Sequence, residues 1–152
     1  DIQKLCQNFN LKSQILAEND IISKNSEIII INSYGFLKDF YKFTKSVFMG
    51  KSILKRIEGK SGQSPIEPAQ LGCRVYHGPY IYNFSDIYEI LKNHGISQLI
   101  KNSEDLARNI VIDFNNTNLN ERKFSIIMDK LSQKTLDDTM QTIKKFISYE
   151  NI

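Results

Sequence analysis

Four consecutive isoleucines, Ile28 to Ile31, constrain the fold of this chain more than any other feature. A strand with one wet face alternates apolar and polar residues. A run without a polar break belongs to a strand covered on both faces, as in parallel sheets flanked by helices. Around that run the apolar pattern switches between a period of two and a period of 3.6. Ile2, Leu5, Cys6 and Phe9 predict a helix within Asp1 to Asn10, and short strands follow at Ser13 to Leu16 and Glu27 to Ile31.

The alternation continues along the chain. A helix is expected from Phe36 to Thr44, a strand from Ser46 to Met49, a loop from Gly50 to Gln63 and a helix from Pro65 to Leu71 that ends at Gly72. Next come a strand from Cys73 to Tyr76, a helix from Phe84 to His94 that closes on Gly95, a strand from Ser97 to Ile100, and a helix from Glu104 to Phe114 capped by Ser103. After a polar linker, 115–120, two helices are predicted, Glu121 to Leu131 and Leu136 to Tyr149, with apolar stripes at Phe124, Ile127, Met128 and Leu131 and at Met140, Ile143 and Ile147. Strands joined through helices imply right-handed crossovers and a Rossmann-like, doubly wound α/β sheet, which binds ligands at the carboxyl ends of its strands. The loops to inspect are therefore Asn32 to Gly35, Gly50 to Gln63 and His77 to Asn83.

Composition sets the outer limits. The 152 residues are 41% hydrophobic and 24% charged, which excludes a disordered chain, and no apolar run approaches the ~18 residues of a membrane span. The 20 basic and 17 acidic side chains are dispersed, so no nucleic-acid footprint is expected. Cys6 and Cys73 lie in apolar segments without metal-ligand spacing and are expected as buried thiols in a reducing compartment. His77 and His94 stand apart from any carboxylate or thiol cluster, so no metal site is expected. Gly50-Lys51-Ser52 is not the end of a P-loop, because Lys45 stands where the first glycine would fall. No G-x-G-x-x-G follows a strand, so no nicotinamide or flavin cofactor is expected. Asp1 is neither an initiator Met nor the start of a signal peptide, and a piece of a longer protein is expected.

The most informative stretch is Lys60 to Pro68. Ser64 fits an N-cap, Pro65 the first helical position and Glu67 the third, which together make a capping box. The same arrangement below a glycine loop offers backbone N–H groups to a phosphate, with a carboxylate one turn on that can accept from ribose hydroxyls.

In order and spacing, Gly50-Lys51-Ser52, Gly62-Gln63-Ser64-Pro65-Ile66-Glu67-Pro68-Ala69 and His77-Gly78-Pro79-Tyr80-Ile81-Tyr82-Asn83-Phe84 resemble the C-terminal half of 3-deoxy-D-manno-octulosonic acid (Kdo) transferases. That family carries a Gly-Gly-Ser turn, then Gly-Gly-His-Asn-Pro-Leu-Glu-Pro-Ala, then Phe-Gly-Pro-x-x-x-Asn-Phe. Asn32 to Leu37 is similar to the family's Asp-Thr-Met-Gly-Glu-Leu turn. Ser64 replaces the family asparagine, Phe36 a glutamate and Lys51 a glycine, and the loop between Ser52 and Gly62 is longer.

The resemblance implies a GT-B glycosyltransferase and, in this chain, its nucleotide-sugar domain over 1–114, expected to lack its first strand, with a linker and helices over 115–152. It implies a transferase of lipopolysaccharide biosynthesis that moves Kdo from CMP-Kdo to a lipid A precursor at the cytoplasmic face of the bacterial inner membrane. The base, the acceptor site and the membrane anchor would lie in an N-terminal half, so no catalytic residue is assigned here. The implied donor-binding residues are Ser33, Tyr34, Gly35, Gly50, Lys51, Ser52, Gly62, Gln63, Ser64 and Glu67. A GT-B module for UDP- or GDP-sugars and a non-catalytic interaction domain remain the alternatives.

Overall fold

The computed structural model describes residues 2–17, 19–32, 35–53, 55, 63–116 and 121–149. Its contacts group into two compact units, 1–40 and 41–152. In the first, helix α1 (Ile2–Asn8) precedes strands β1 (Ser13–Leu16) and β2 (Ile28–Ile31), which pair in parallel with Ser13 opposite Ile28 and Leu16 opposite Ile31. The isoleucine run is thus a strand in a parallel ladder. Its four residues are half-buried rather than covered, and among the described residues β2 has β1 as its one ladder neighbour. Helix α2 (Leu37–Tyr41) follows, shorter than its apolar pattern suggested.

The second unit holds a three-stranded parallel sheet in the order β3 (Ser46–Met49), β4 (Arg74–His77), β5 (Ser97–Leu99). The strands therefore run parallel as expected, in two sheets rather than one ladder. Periodicity reports a strand's direction of burial but not its hydrogen-bonding neighbour. Helix α3 (Ile66–Gln70) and helix α4 (Ser85–Asn93) end at Gly72 and Gly95, whose φ values of 88° and 72° are the left-handed caps read from the sequence. Helix α5 (Ser103–Asn115) starts one residue earlier than expected. Its cap is Asn102, in extended conformation, whose side chain accepts from the Asp105 N–H at 2.8 Å, so Ser103 is already helical.

Each face of this sheet has its own cover. Val75 packs with Met49, Ala69, Tyr88, Leu91, Ile96 and Met128 in an apolar core formed with α3, α4 and α6. On the other face the buried carboxylate of Asp113, on α5, accepts from Ser46 Oγ at 2.7 Å and Tyr76 Oη at 2.6 Å and pairs with Arg74 at 3.3 Å. Burial, then this bond to Asp113, raises the Tyr76 pKa above its ordinary value. Arg74 also donates to Gln98 Oε1 at 3.0 Å, and Gln98 continues to Asn109 at 3.2 Å. A buried carboxylate is tolerated here because its oxygens are occupied by donors.

The last segment corrects the expectation of two helices. Residues Glu121–Tyr149 form one helix, α6. The polar stretch from Ser132 to Thr135 contains neither Gly nor Pro, and the hydroxyl of Thr135 is absorbed by the Leu131 carbonyl at 3.0 Å one turn back. Met128 is buried against the core while Met140, Ile143 and Ile147 are exposed. Of the expected linker, 117–120 lies outside the described residues. Cys6 and Cys73 are buried, and neither forms a disulfide among the described residues. Among the described residues no helix is long and apolar enough to cross a membrane, and no group of His, Cys, Asp and Glu could hold a metal ion.

Candidate nucleotide-sugar site

The carboxyl ends of β3 and β4 are joined by Ser52. After β3 the chain turns through a 3-10 segment, Gly50–Ile53, that turns the Ser52 side chain inward, fully buried. Its hydroxyl donates to the Met49 carbonyl and accepts from the Gly78 N–H at 2.6 Å, and its carbonyl accepts from the Tyr80 N–H at 2.9 Å. Only glycine fits at 78. A Cβ there would lie 2.6 Å from the Ser52 carbonyl oxygen and 2.6 Å from Ile53 Cγ2. The Gly50-Lys51-Ser52 and His77-Gly78-Pro79 motifs are therefore two sides of one joint.

The buried Ser52 hydroxyl bonds two backbone groups and so holds the edge on which Gly50 and Lys51 stand exposed. Gln63, Ser64 and Glu67 are also exposed. The Gln63 carbonyl is reached by the Tyr88 hydroxyl from α4 at 3.4 Å.

The capping box is not closed as expected. Helix α3 begins at Ile66, with Pro65 as the residue before it. The Ser64 hydroxyl accepts from the Ile66 N–H at a long 3.4 Å, and Glu67 makes no side-chain hydrogen bond among the described residues. With five residues α3 is too short for much of a dipole. The Glu67 carboxylate lies near Tyr41, whose pKa is raised by burial first and by Glu67 and Cys73 next.

Gly35 sits in the first unit, with a φ of 95°. Ser33, Tyr34 and Gly62 lie outside the described residues. His77 and His94 are not brought together. His77 is buried at the end of β4 with Nδ1 on the Gly78 carbonyl at 2.8 Å, and His94 is exposed at the end of α4 with Nδ1 on the Ile90 carbonyl at 2.9 Å. Burial lowers the His77 pKa, nearby Lys92 adds to this, and the bond to Gly78 opposes it.

Sequence reasoning missed two residues. Tyr88 falls inside the helix predicted from Phe84 to His94 and Tyr41 inside the one predicted from Phe36 to Thr44, with nothing in the sequence to single out either. The proximity of Tyr41 to Glu67 follows from the path of the chain, and no spacing signals it.

A cavity of about 410 Å3 lined by Phe48, Ile53, Pro79, Ile100, Lys101 and Asn102 opens at the same strand ends. A larger groove of about 620 Å3 between α3, α4 and α6 is lined by Ile66, Ile87, Leu91, Met128 and Leu131 and has no charged group to hold a phosphate.

No family model matches the chain. Curated proteins named 3-deoxy-D-manno-octulosonic acid transferase do, with 26% identity over 147 residues in Rickettsia felis, 93% of this chain and 30% of that protein. The Haemophilus influenzae protein of the same name is 26% identical over 105 residues, 68% of this chain and 24% of that protein. Its relatives are Kdo transferases. The chain spans about 30% of the length of the Rickettsia felis protein. Among solved structures it is similar to the C-terminal CMP-Kdo binding domain of WaaA from Acinetobacter baumannii, with a TM-score of 0.72, 18% identity, and coverage of 87% of this chain and 66% of that one. The likeness bears out the α/β fold expected from the motifs, that of the C-terminal half of a GT-B glycosyltransferase.

Proposed function

We propose that this chain is the donor-binding part of a Kdo transferase and that its strand ends hold CMP-Kdo. The observation that carries this reading is the Ser52–Gly78 joint. It brings two motifs of the Kdo transferase pattern, 26 residues apart, edge to edge at the carboxyl ends of adjacent parallel strands, and leaves Gly50 and Lys51 exposed there. Similarity to the CMP-Kdo binding domain of WaaA supports the choice of donor.

In this reading the domain covers 1–114, with 115–152 as a linker and the helical segment. Ser33, Tyr34, Gly35 and Gly62 complete the donor set by resemblance alone. Transfer breaks the bond between the anomeric carbon and the CMP phosphate as an acceptor hydroxyl attacks, so negative charge grows on the leaving phosphate. Lys51 and the amides of Gly50, Gln63 and Ser64 stabilise that charge, and Glu67 accepts from the ribose. The base and the lipid A acceptor site belong to an N-terminal half, and the whole enzyme works at the cytoplasmic face of the inner membrane in lipopolysaccharide biosynthesis. The test is transfer of labelled Kdo from CMP-Kdo to a lipid A precursor. The full-length protein should transfer it and the 152-residue chain alone should not. Turnover by this chain alone, or a full-length protein that accepts only UDP- or GDP-sugars, would overturn the reading.

A further inference from the structure

Tyr88 is 2% exposed on the inward side of α4, its ring 4.3 Å from the His77 ring and tilted by 47°. Its backbone carbonyl accepts from Ser97 Oγ at 3.0 Å, which fixes the register of α4 against β5. Phenylalanine would fill the same space. A buried hydroxyl loses hydration unless it finds a partner, and among the described residues the partner of this one is the Gln63 carbonyl, at 3.4 Å.

That carbonyl belongs to the peptide unit joining Gln63 to Ser64. In a trans peptide the C=O and the following N–H point in opposite directions. With the Gln63 oxygen turned inward to Tyr88, whose ring lies on His77 at the end of β4, the Ser64 N–H is turned outward, on a residue that is exposed. No acceptor within the described residues takes this N–H, so it is free to meet an anionic oxygen.

We propose that Tyr88 is a positioning residue whose hydroxyl sets the Gln63–Ser64 peptide plane, so that the Ser64 N–H faces the phosphate of the bound nucleotide. The ligand in this statement rests on the donor-site reading, and the orientation of the peptide does not. Tyr88→Phe keeps the ring against His77 and removes only the anchor of the peptide.

The experiment uses the 152-residue chain, with CMP as the probe and amide NMR as the readout. Tyr88→Phe should move the amides of Ser64, Ile66 and Glu67 in the free protein, weaken CMP on the order of fivefold or more, and leave the melting temperature within about 3 °C. Unmoved amides at Ser64 and Ile66, or CMP affinity unchanged, would overturn the proposal. A variant that moves the amides while wild type binds no CMP at all would uphold the orientation and sink the donor reading instead. Should Tyr88→Phe fold poorly, the wild-type protein decides. Ring protons of Tyr88 in dipolar contact with the Gln63 and Ser64 amides support the proposal, and their absence refutes it.

Discussion

Replacing Gly78 by alanine should damage this protein far more than one methyl group ordinarily would. The added Cβ meets a backbone oxygen, that of Ser52, at 2.6 Å, and backbone cannot rotate away as a side-chain end can. Relief requires the two loops to part, which lengthens the bond from the Gly78 N–H to Ser52 Oγ and that from the Tyr80 N–H to the Ser52 carbonyl. Overpacking of this kind costs about 1–3 kcal/mol and each of the two weakened bonds roughly 0.5–1.5 kcal/mol, so a loss of about 2–6 kcal/mol is expected. At about 2–4 °C per kcal/mol for a chain of this size, thermal unfolding followed by circular dichroism should show a fall of about 4–24 °C. Ser52→Ala should also destabilise, by about 1–3 kcal/mol, because it strands the buried Gly78 N–H. The two effects should not add in Gly78→Ala/Ser52→Ala, since both variants break the same joint. A Gly78→Ala melting point equal to wild type would refute the close approach on which the site's construction rests.

Three further outcomes follow from other parts of the molecule. Asp113→Ala leaves Tyr76, Ser46 and Arg74 without their shared acceptor and should cost about 3–5 kcal/mol in urea unfolding. Glu67→Gln should change stability by less than about 0.5 kcal/mol, since Glu67 is exposed and closes no capping box, yet weaken CMP-Kdo use by the full-length enzyme on the order of tenfold. His77 has a folded-state pKa below its unfolded value of 6.5, so the unfolded chain takes up the proton first as pH falls. Its contribution is fully present above that pH and declines below it, and His77→Phe should flatten the stability profile between about pH 7 and pH 5.

The elements that could be read from sequence are those whose signals are local. Ser13–Leu16 and Ser46–Met49 are apolar runs between polar turns and appear with the expected bounds, and Gly72 and Gly95 end their helices as their neighbours' periodicity requires. What sequence did not carry depends on distant partners. Ser52 lies in a predicted loop, where the resemblance implies a donor-binding role, and its hydroxyl meets an N–H 26 residues away. The cap of α5 passed from Ser103 to its equally suitable neighbour Asn102 because of backbone conformation alone. α6 was divided at a polar stretch whose hydroxyls the helix absorbs. The proposed donor site rests on an order of motifs, while the way Tyr88 and Tyr41 approach Gln63 and Glu67 is a property of the packed chain.

The most direct measurement is a titration of the isotopically labelled chain with CMP, UMP and GMP, followed at every backbone amide. The account predicts that CMP moves Gly50, Lys51, Gln63, Ser64 and Glu67 at lower concentration than UMP or GMP does, while the amides of Glu121–Tyr149 stay in place. Responses confined to that helix, or no response to CMP at concentrations where another nucleotide binds, would contradict it.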